Sequence, residues 1–393
     1  MSTKQVVYQR KELPAGVTAF GAAATVAGAA IVALTFMFDH SRGLYNNIIG
    51  LSVLTSVAVG ALFYVALEYL AGAVWSTPFR RVMEFLSASV FALVVVAIPL
   101  MANLHEVFSW THVEAVGKDP ILAGKAPYLN IQFFTIRNIA FAVLWIFFYW
   151  MFTRFSKKQD ATGDQKYTRI NIRFATAFMP VFALTTTFFA IDWIMSLEPH
   201  WFSTIFGVYY FSGTFLCALA VGTFIIVSLN ERGYLVAGLG KDHYYSLGTL
   251  LFVFTNFWAY IAFSQFMLIW YANVPEETFW FISRWKNGWE YVSLALIFMK
   301  FVVPYVVLLS QPSKMDARKL KFVGIWIFLA HIVDMYWLIM PSFSRTLILG
   351  WQELGFPLLI AGLIALTFVF KSRKENLVPI GDPKLQRGID FRI

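Results

Sequence analysis

The sequence predicts an all-α polytopic membrane protein with ten transmembrane helices. Three observations carry this reading. Of 393 residues, 59% are hydrophobic and 13% charged, with a mean hydropathy of +0.65, far greasier than a soluble domain. Apolar runs near the ~20 residues that cross a bilayer recur along almost the whole chain and leave no room for a separate soluble domain. Lys and Arg are also divided very unevenly between alternate loops.

Taken in order, the spans fall at 17–38, 46–74, 79–102, 131–154, 172–196, 204–229, 244–272, 286–311, 319–340 and 354–371. The first sixteen residues are polar and no small-residue cleavage site follows, so the first span reads as an uncleaved anchor. Its Gly21, Ala24 and Gly28 mark close helix packing. With the N-terminus inside, 23 of the 31 Lys and Arg lie in inside segments and six in outside loops, while Arg137 and Lys300 fall within spans. This bias predicts both termini in the cytoplasm, and the net charge of +9 needs no nucleic acid to explain it. The single cysteine, Cys217, sits in an apolar run, so disulfide frameworks, Cys-ligated iron–sulfur clusters and c-type haem attachment are excluded from this chain.

An internal repeat organises the middle of the chain. Ala102-Asn103-Leu104-His105-Glu106 with Trp110 returns as Ala272-Asn273-Val274-Pro275-Glu276 with Trp280. Phe134-x-x-Arg137 returns as Phe281-x-x-Arg284, and Asp192 with Pro199 seven residues on returns as Asp334 with Pro341. All three relate span n to span n+4, which runs in the same direction. The expectation is two parallel four-helix bundles, spans 2 to 5 (46–196) and spans 6 to 9 (204–340), within one integral membrane domain covering 1–393. Spans 1 and 10 are then peripheral, and 372–393 is a cytoplasmic tail. The first half carries 23 extra residues between Glu106 and Arg137, the length of an outside cap near 111–127.

Several stretches resemble a known family. They are Lys125-Ala-Pro-Tyr-Leu-Asn130 leading into Phe133-Phe134-x-x-Arg137, then Asp192-Trp-Ile-Met-Ser-Leu-Glu198-Pro-His200-Trp-Phe-Ser-Thr204, and Gln265-Phe-Met-Leu-Ile-Trp270 running into Asn273-Val-Pro-Glu276-Glu277. They are similar to the NrfD/PsrC-like membrane subunits of bacterial alternative complex III, a quinol:cytochrome c oxidoreductase. Length and the C-terminal Pro379-x-x-Asp382-Pro383-x-Leu385 are closer to the shorter of its two such subunits. The resemblance implies the NrfD-like fold and a bacterial cytoplasmic membrane. It also implies an ActC-like longer paralogue, other small membrane subunits, and partners that hold the redox groups: a multihaem cytochrome c and an iron–sulfur subunit on the outer face. Quinol is the implied substrate, with the quinol site usually assigned to the first bundle of the longer paralogue.

Ionisable residues in lipid cost roughly 2.5–3.5 kcal/mol on insertion scales, so each one inside a span needs a partner or a task. His105, Arg137, Asp192, Glu198 and His200 fall near the outer surface, where His or carboxylate could accept quinol protons and Arg could donate to the forming carbonyl. The alternative is an Arg137–Asp192 ion pair pinning spans 4 and 5. Glu68 and Glu84 lie eight residues either side of residue 76, at one depth on a hairpin. They are either a proton-uptake pair or partners of Arg80 and Arg81. Lys300, His331 and Asp334 share a similar depth in spans 8 and 9, with Gln265 and Glu290 on their outer side; the choice is a proton pathway or a charge-neutral packing triad.

Only His331 of the six histidines lies well inside a span, so no bis-His b-haem pair is expected, and no metal-binding motif, phosphate loop or nucleophile triad is visible. The expected function is a cofactor-free subunit that anchors redox partners, conducts protons through its second bundle and binds quinol or lipid at the outer end of its first. A secondary transporter with parallel repeats and a purely structural anchor are the rival readings.

Overall fold

The computed structural model describes residue 8 and residues 10–393; Lys4, counted above with the inside bases, lies outside them. Backbone polar groups in a bilayer must be satisfied within their own segment, and the described residues form helices and turns with no strand. Ten helices are long and apolar enough to cross a membrane, so this is a multi-pass membrane protein. We number them α1 (Ala15–Phe38), α2 (His40–Ala71), α3 (Thr77–Ala102), α4 (Ile131–Thr162), α5 (Lys166–Leu197), α6 (Phe206–Glu231), α7 (Lys241–Ala272), α8 (Trp289–Leu308), α9 (Ala317–Phe343) and α10 (Trp351–Lys374).

Each expected span is present, and the largest differences lie at the α4–α5 hairpin. There the helices continue through Lys157, Lys158, Lys166 and Arg169, because hydropathy registers where lipid ends and not where helical hydrogen bonding ends. The segment near 111–127 folds into two short helices, Val113–Lys118 and Pro120–Lys125. A further short helix, Pro275–Ser283, joins α7 to α8.

The centre of the molecule is α2, buried along nearly its whole length. Against it run α6 and α9, which also pack on each other. Gly60 permits this closeness: a Cβ there would meet Ala218 Cβ at 2.7 Å and the Thr214 carbonyl at 2.9 Å on α6. Helix α1 is the least enclosed and lies along α10, where Gly28 leaves no room for a side chain beside the Leu359 backbone. Arg10 donates to the Ser372 carbonyl at 3.1 Å, so the start of α1 and the end of α10 share one end of the bundle, called here the basic end. The segment after α10 folds back over that end: His243 Nε2 meets the Gly388 carbonyl at 2.8 Å, and Lys384 Nζ donates to the Gly72 carbonyl at 3.2 Å.

Two helices are irregular where they carry charge. Helix α3 opens with a 3-10 turn at Thr77–Phe79, runs helically over Arg80–Ser87 and restarts at Val90. Helix α8 contains a π-turn over Ile297–Val302, the kind of wide turn that often re-aims a side chain at a functional position. Lys300 sits inside it.

Candidate functional site

The deepest polar cluster centres on Lys300, His331 and Asp334, all with no solvent exposure. Lys300 Nζ is ion-paired with Asp334 Oδ2 and lies 3.2 Å from His331 Nδ1. Three further elements complete the cluster. Tyr209 on α6 donates its hydroxyl to Asp334 Oδ1 at 2.6 Å, Ser56 Oγ on α2 lies 2.9 Å from His331 Nε2, and the Trp258 ring on α7 lies 4.7 Å from the ammonium. Ser56 Oγ continues to Thr214 Oγ1 at 3.2 Å and donates to the Ser52 carbonyl at 2.8 Å. A hydrogen-bonded string therefore crosses the core from α8 through α9 to α2. Lys300, His331, Asp334, Tyr209 and Ser56 each have a protein partner, as a buried network requires, while the Trp258 indole N–H has none.

Of the two outward positions expected to extend this group, Gln265 comes near it and Glu290 does not. Gln265 is buried, with Oε1 lacking a partner, in the wall of a cavity of about 660 Å³. Tyr209, Trp258, Trp280, Ser293 and Trp337 share that wall, so the cavity touches the Lys300 cluster through Tyr209 and Trp258. Glu290 instead turns back to accept from the Gly288 amide at 2.9 Å at the start of α8.

At the basic end, Glu68 and Glu84 are joined by one guanidinium. Arg80 donates from Nη1 to Glu68 Oε1 at 3.1 Å and from Nε to Glu84 Oε1 at 3.2 Å, and its Nη2 lies 2.9 Å from Asp382 Oδ2. Arg81 reaches Glu84 Oε2 at 3.0 Å and Asp160 Oδ2 at 2.8 Å, while Ser156 donates to Glu84 Oε1 at 2.9 Å. Two buried guanidinium groups thus face four carboxyl groups, and Glu68 Oε2 has no hydrogen-bond partner. Glu68 and Glu84 do meet Arg80 and Arg81, as one of the two readings held, but within a set where carboxyl groups outnumber guanidinium groups four to two.

The five residues expected at the outer surface lie in separate contacts. Arg137 holds Asp192 with two parallel bonds, Nε–Oδ2 and Nη2–Oδ1, both 2.9 Å, and donates from Nη1 to the Tyr128 carbonyl at 2.9 Å. Tyr128 adds its hydroxyl to Asp192 at 2.9 Å and its ring under the guanidinium at 3.9 Å. Glu198 pairs with Arg345 at 3.0 Å, and His200 with Asp119 at 2.5 Å. Desolvation opposes the shift, but the hydrogen bonds from His200 and from the Ile121 and Leu122 amides together outweigh it and hold Asp119 below the usual carboxylate range. His105 is exposed, its carbonyl meeting His112 Nε2 at 2.8 Å.

The sequence repeat pairs Arg284 with Arg137 and Asp334 with Asp192 and predicts an equivalent placement. The structure departs from that. Arg284 is fully buried but bonds only uncharged groups, chiefly the carbonyls of Trp280 at 2.9 Å, Trp337 at 3.2 Å and Leu338 at 2.8 Å, and it stacks on Trp280 at 3.5 Å. Asp334 turns to Lys300, a cation with no counterpart in the first half, where Thr153 stands.

Sequence reasoning missed Tyr209, Ser56, Asp160 and Asp382 as members of these clusters. Asp382 alone had a signal, its place in the Pro379-x-x-Asp382-Pro383 stretch; one tyrosine among seventeen has none. No protein-family model and no curated protein matches the chain, so its buried charge clusters stand on their own geometry as the basis for a function.

Proposed function

We propose that this chain is an integral subunit of a bacterial quinol:cytochrome c or high-potential-acceptor oxidoreductase, similar to the shorter NrfD/PsrC-like subunit, ActF, of alternative complex III. It anchors partners that hold haem c and iron–sulfur clusters, and it provides a proton path through its second bundle. The observation that carries the reading is the enclosed Lys300–His331–Asp334–Tyr209 cluster. A lysine, an imidazole, a carboxyl and a phenol in one hydrogen-bonded group offer a proton several neighbouring sites, and ionisable groups at such depth mark ion pathways. The acid-rich set around Arg80 and Arg81 suits proton entry from the basic end, since buried excess carboxyl groups are neutralised most cheaply by binding protons. In this reading the basic end is cytoplasmic, the membrane is the bacterial inner membrane, and α2–α5 and α6–α9 are parallel bundles.

Quinol oxidation releases two protons and two electrons, the electrons passing to the partner subunits. The geometry favours a structural role for Arg137, whose donors are engaged by Asp192 and Tyr128. It offers less support for a quinol pocket built from His105, Arg137, Asp192, Glu198 and His200. The secondary-transporter reading loses ground on the irregular helices: the α3 break and the α8 π-turn fall opposite the uninterrupted helices of α7 and α4 under the repeat, whereas transporters interrupt corresponding helices in both halves.

Isolation in mild detergent tests the proposal. The native assembly should bring c-type haem and iron–sulfur signals with the chain, and the chain alone should show no visible haem absorbance. A monodisperse, partnerless protein active in solute exchange would overturn it.

A further inference from the structure

A second groove, of about 670 Å³, lies at the basic end and is lined by none of the residues of the charge clusters described above. Its walls come from the first turns of α1, the last turns of α6, the first half of α9 and the second half of α10. They are apolar, with Phe20, Phe224, Phe328 and Phe368 among the larger side chains. At its mouth the character changes: Ser228, Arg232 and Tyr234 line it. Arg232 is exposed, and its side chain has no ion-pair or hydrogen-bond partner among the described residues. The neighbouring acid, Glu231, is already held by Lys321 at 2.5 Å. Lys11 is anchored beside this mouth, its ammonium donating to the Gly233 carbonyl at 2.9 Å, so its positive charge is positioned yet uncompensated by that contact. Arg10, Lys11, Arg232 and Lys321 outnumber Glu12 and Glu231 here.

An apolar groove between helices, closed at the membrane surface by unpaired cations and hydroxyls, has the polarity of a phospholipid turned inside out. We infer that this groove binds one anionic phospholipid from the leaflet at the basic end. The acyl chains lie between the α1–α10 pair and α6–α9, and the phosphate meets Arg232 and Lys11. Basic pockets between transmembrane helices recognise anionic headgroups by this arrangement. A zwitterionic lipid would fill the same groove, but its ammonium would oppose the two cations. A transmembrane helix of another subunit would leave Arg232 without an anion. The site would tie the outlying α1–α10 pair to the core, which it otherwise meets mainly through α2 and α3.

The test uses the full chain in its native assembly, stripped by detergent exchange and offered mixed micelles of phosphatidylglycerol and phosphatidylcholine with identical acyl chains. Bound lipid is then counted by native mass spectrometry. One tightly held phosphatidylglycerol per chain is expected. Arg232→Gln should weaken its retention roughly fivefold, the effect of about one cation at a membrane surface, and adding Lys11→Gln should lower it again by a similar factor. Gly16 supplies an independent probe of the acyl chains: it lines the groove, and a Cβ there meets nothing within 4 Å. Gly16→Phe should therefore fill the groove, leaving folding intact and expelling lipid of either headgroup. Equal retention of the two lipids, unchanged retention in the Arg232 variant, displacement by millimolar inorganic phosphate alone, or a partner helix crosslinked into the groove would each overturn the inference.

Discussion

Asp334 is held by both an ammonium and a phenol, and the energetic weight of this arrangement falls on whichever partner is removed. Taking away one member of a buried ion pair typically costs about 3–5 kcal/mol, because the other is stranded, whereas replacing both with apolar or neutral groups is often close to neutral. Lys300→Met should therefore destabilise the protein in detergent by roughly that amount, and Lys300→Met with Asp334→Asn should recover most of it. The relay reading adds a second readout. In the assembly reconstituted into liposomes, the double variant should assemble and transfer electrons with a changed proton-to-electron ratio. An intact complex with an unchanged ratio would remove the relay and leave a packing triad. Arg137 and Asp192 pose the simpler case. Two parallel bonds and an aromatic face under the guanidinium are what planar arginine provides and lysine does not. Asp192→Asn should lower assembly yield, and Arg137→Lys should not restore it, as measured by detergent-stable complex per cell.

Helices place these groups by features of very different legibility. Span positions were readable because burying twenty apolar residues in lipid leaves a long, strong signal. The break in α3 was not, since Ser87–Ser89 carry no proline or glycine to mark it, whereas Pro304, which cannot donate to the Lys300 carbonyl four residues back, marks an irregular turn in α8 without telling that it widens into a π-turn. Depth was readable too: counting from the turn near 315 put Lys300 and His331 level, and they lie 3.2 Å apart. Rotational phase was not readable, which is why Tyr209 and Ser56 went unnoticed and Glu290 was expected on the route. Helix starts can be tested directly. Asp316 caps α9, accepting from the amides of Arg318 at 2.8 Å and Lys319 at 3.1 Å. These bonds, the one from Lys319 foremost, lower its pKa below the ordinary 3.8. A group with a depressed folded pKa contributes its stability above the unfolded value, and the contribution fades as pH falls through the folded one. Asp316→Ala should thus cost about 0.5–2 kcal/mol at neutral pH. The gap between variant and parent should close only below about pH 4, as followed by thermal unfolding of the purified protein.

At the scale of the whole molecule, ten spans with the start of α1 and the segment after α10 at one face leave one binary question for the proposed function, which face is cytoplasmic. The asymmetry of 23 against six Lys and Arg predicts that the basic end is the inside one, since bases near the ends of short loops resist translocation. Folding complicates the count, because part of this charge is neutralised once the chain is folded. Arg80 and Arg81 are buried among carboxyl groups and Arg42 is paired with Glu353 at 2.7 Å. Orientation is chosen as the chain inserts, before such pairs form, so the full asymmetry should count. A cysteine-labelling experiment can decide it with little background, because the single native cysteine, Cys217, is fully buried. Thr162 and Arg387 are exposed at the basic end, and Lys118 is exposed at the opposite end on the short helix Val113–Lys118. Thr162→Cys and Arg387→Cys should be blocked by a membrane-impermeant maleimide only after the cell membrane is opened, and Lys118→Cys in intact spheroplasts. The reverse pattern would put the acid-rich set around Arg80 on the outside. It would then lie at the wrong end to load protons from the cytoplasm, and the proton path proposed through the Lys300 cluster would have to run in the opposite direction.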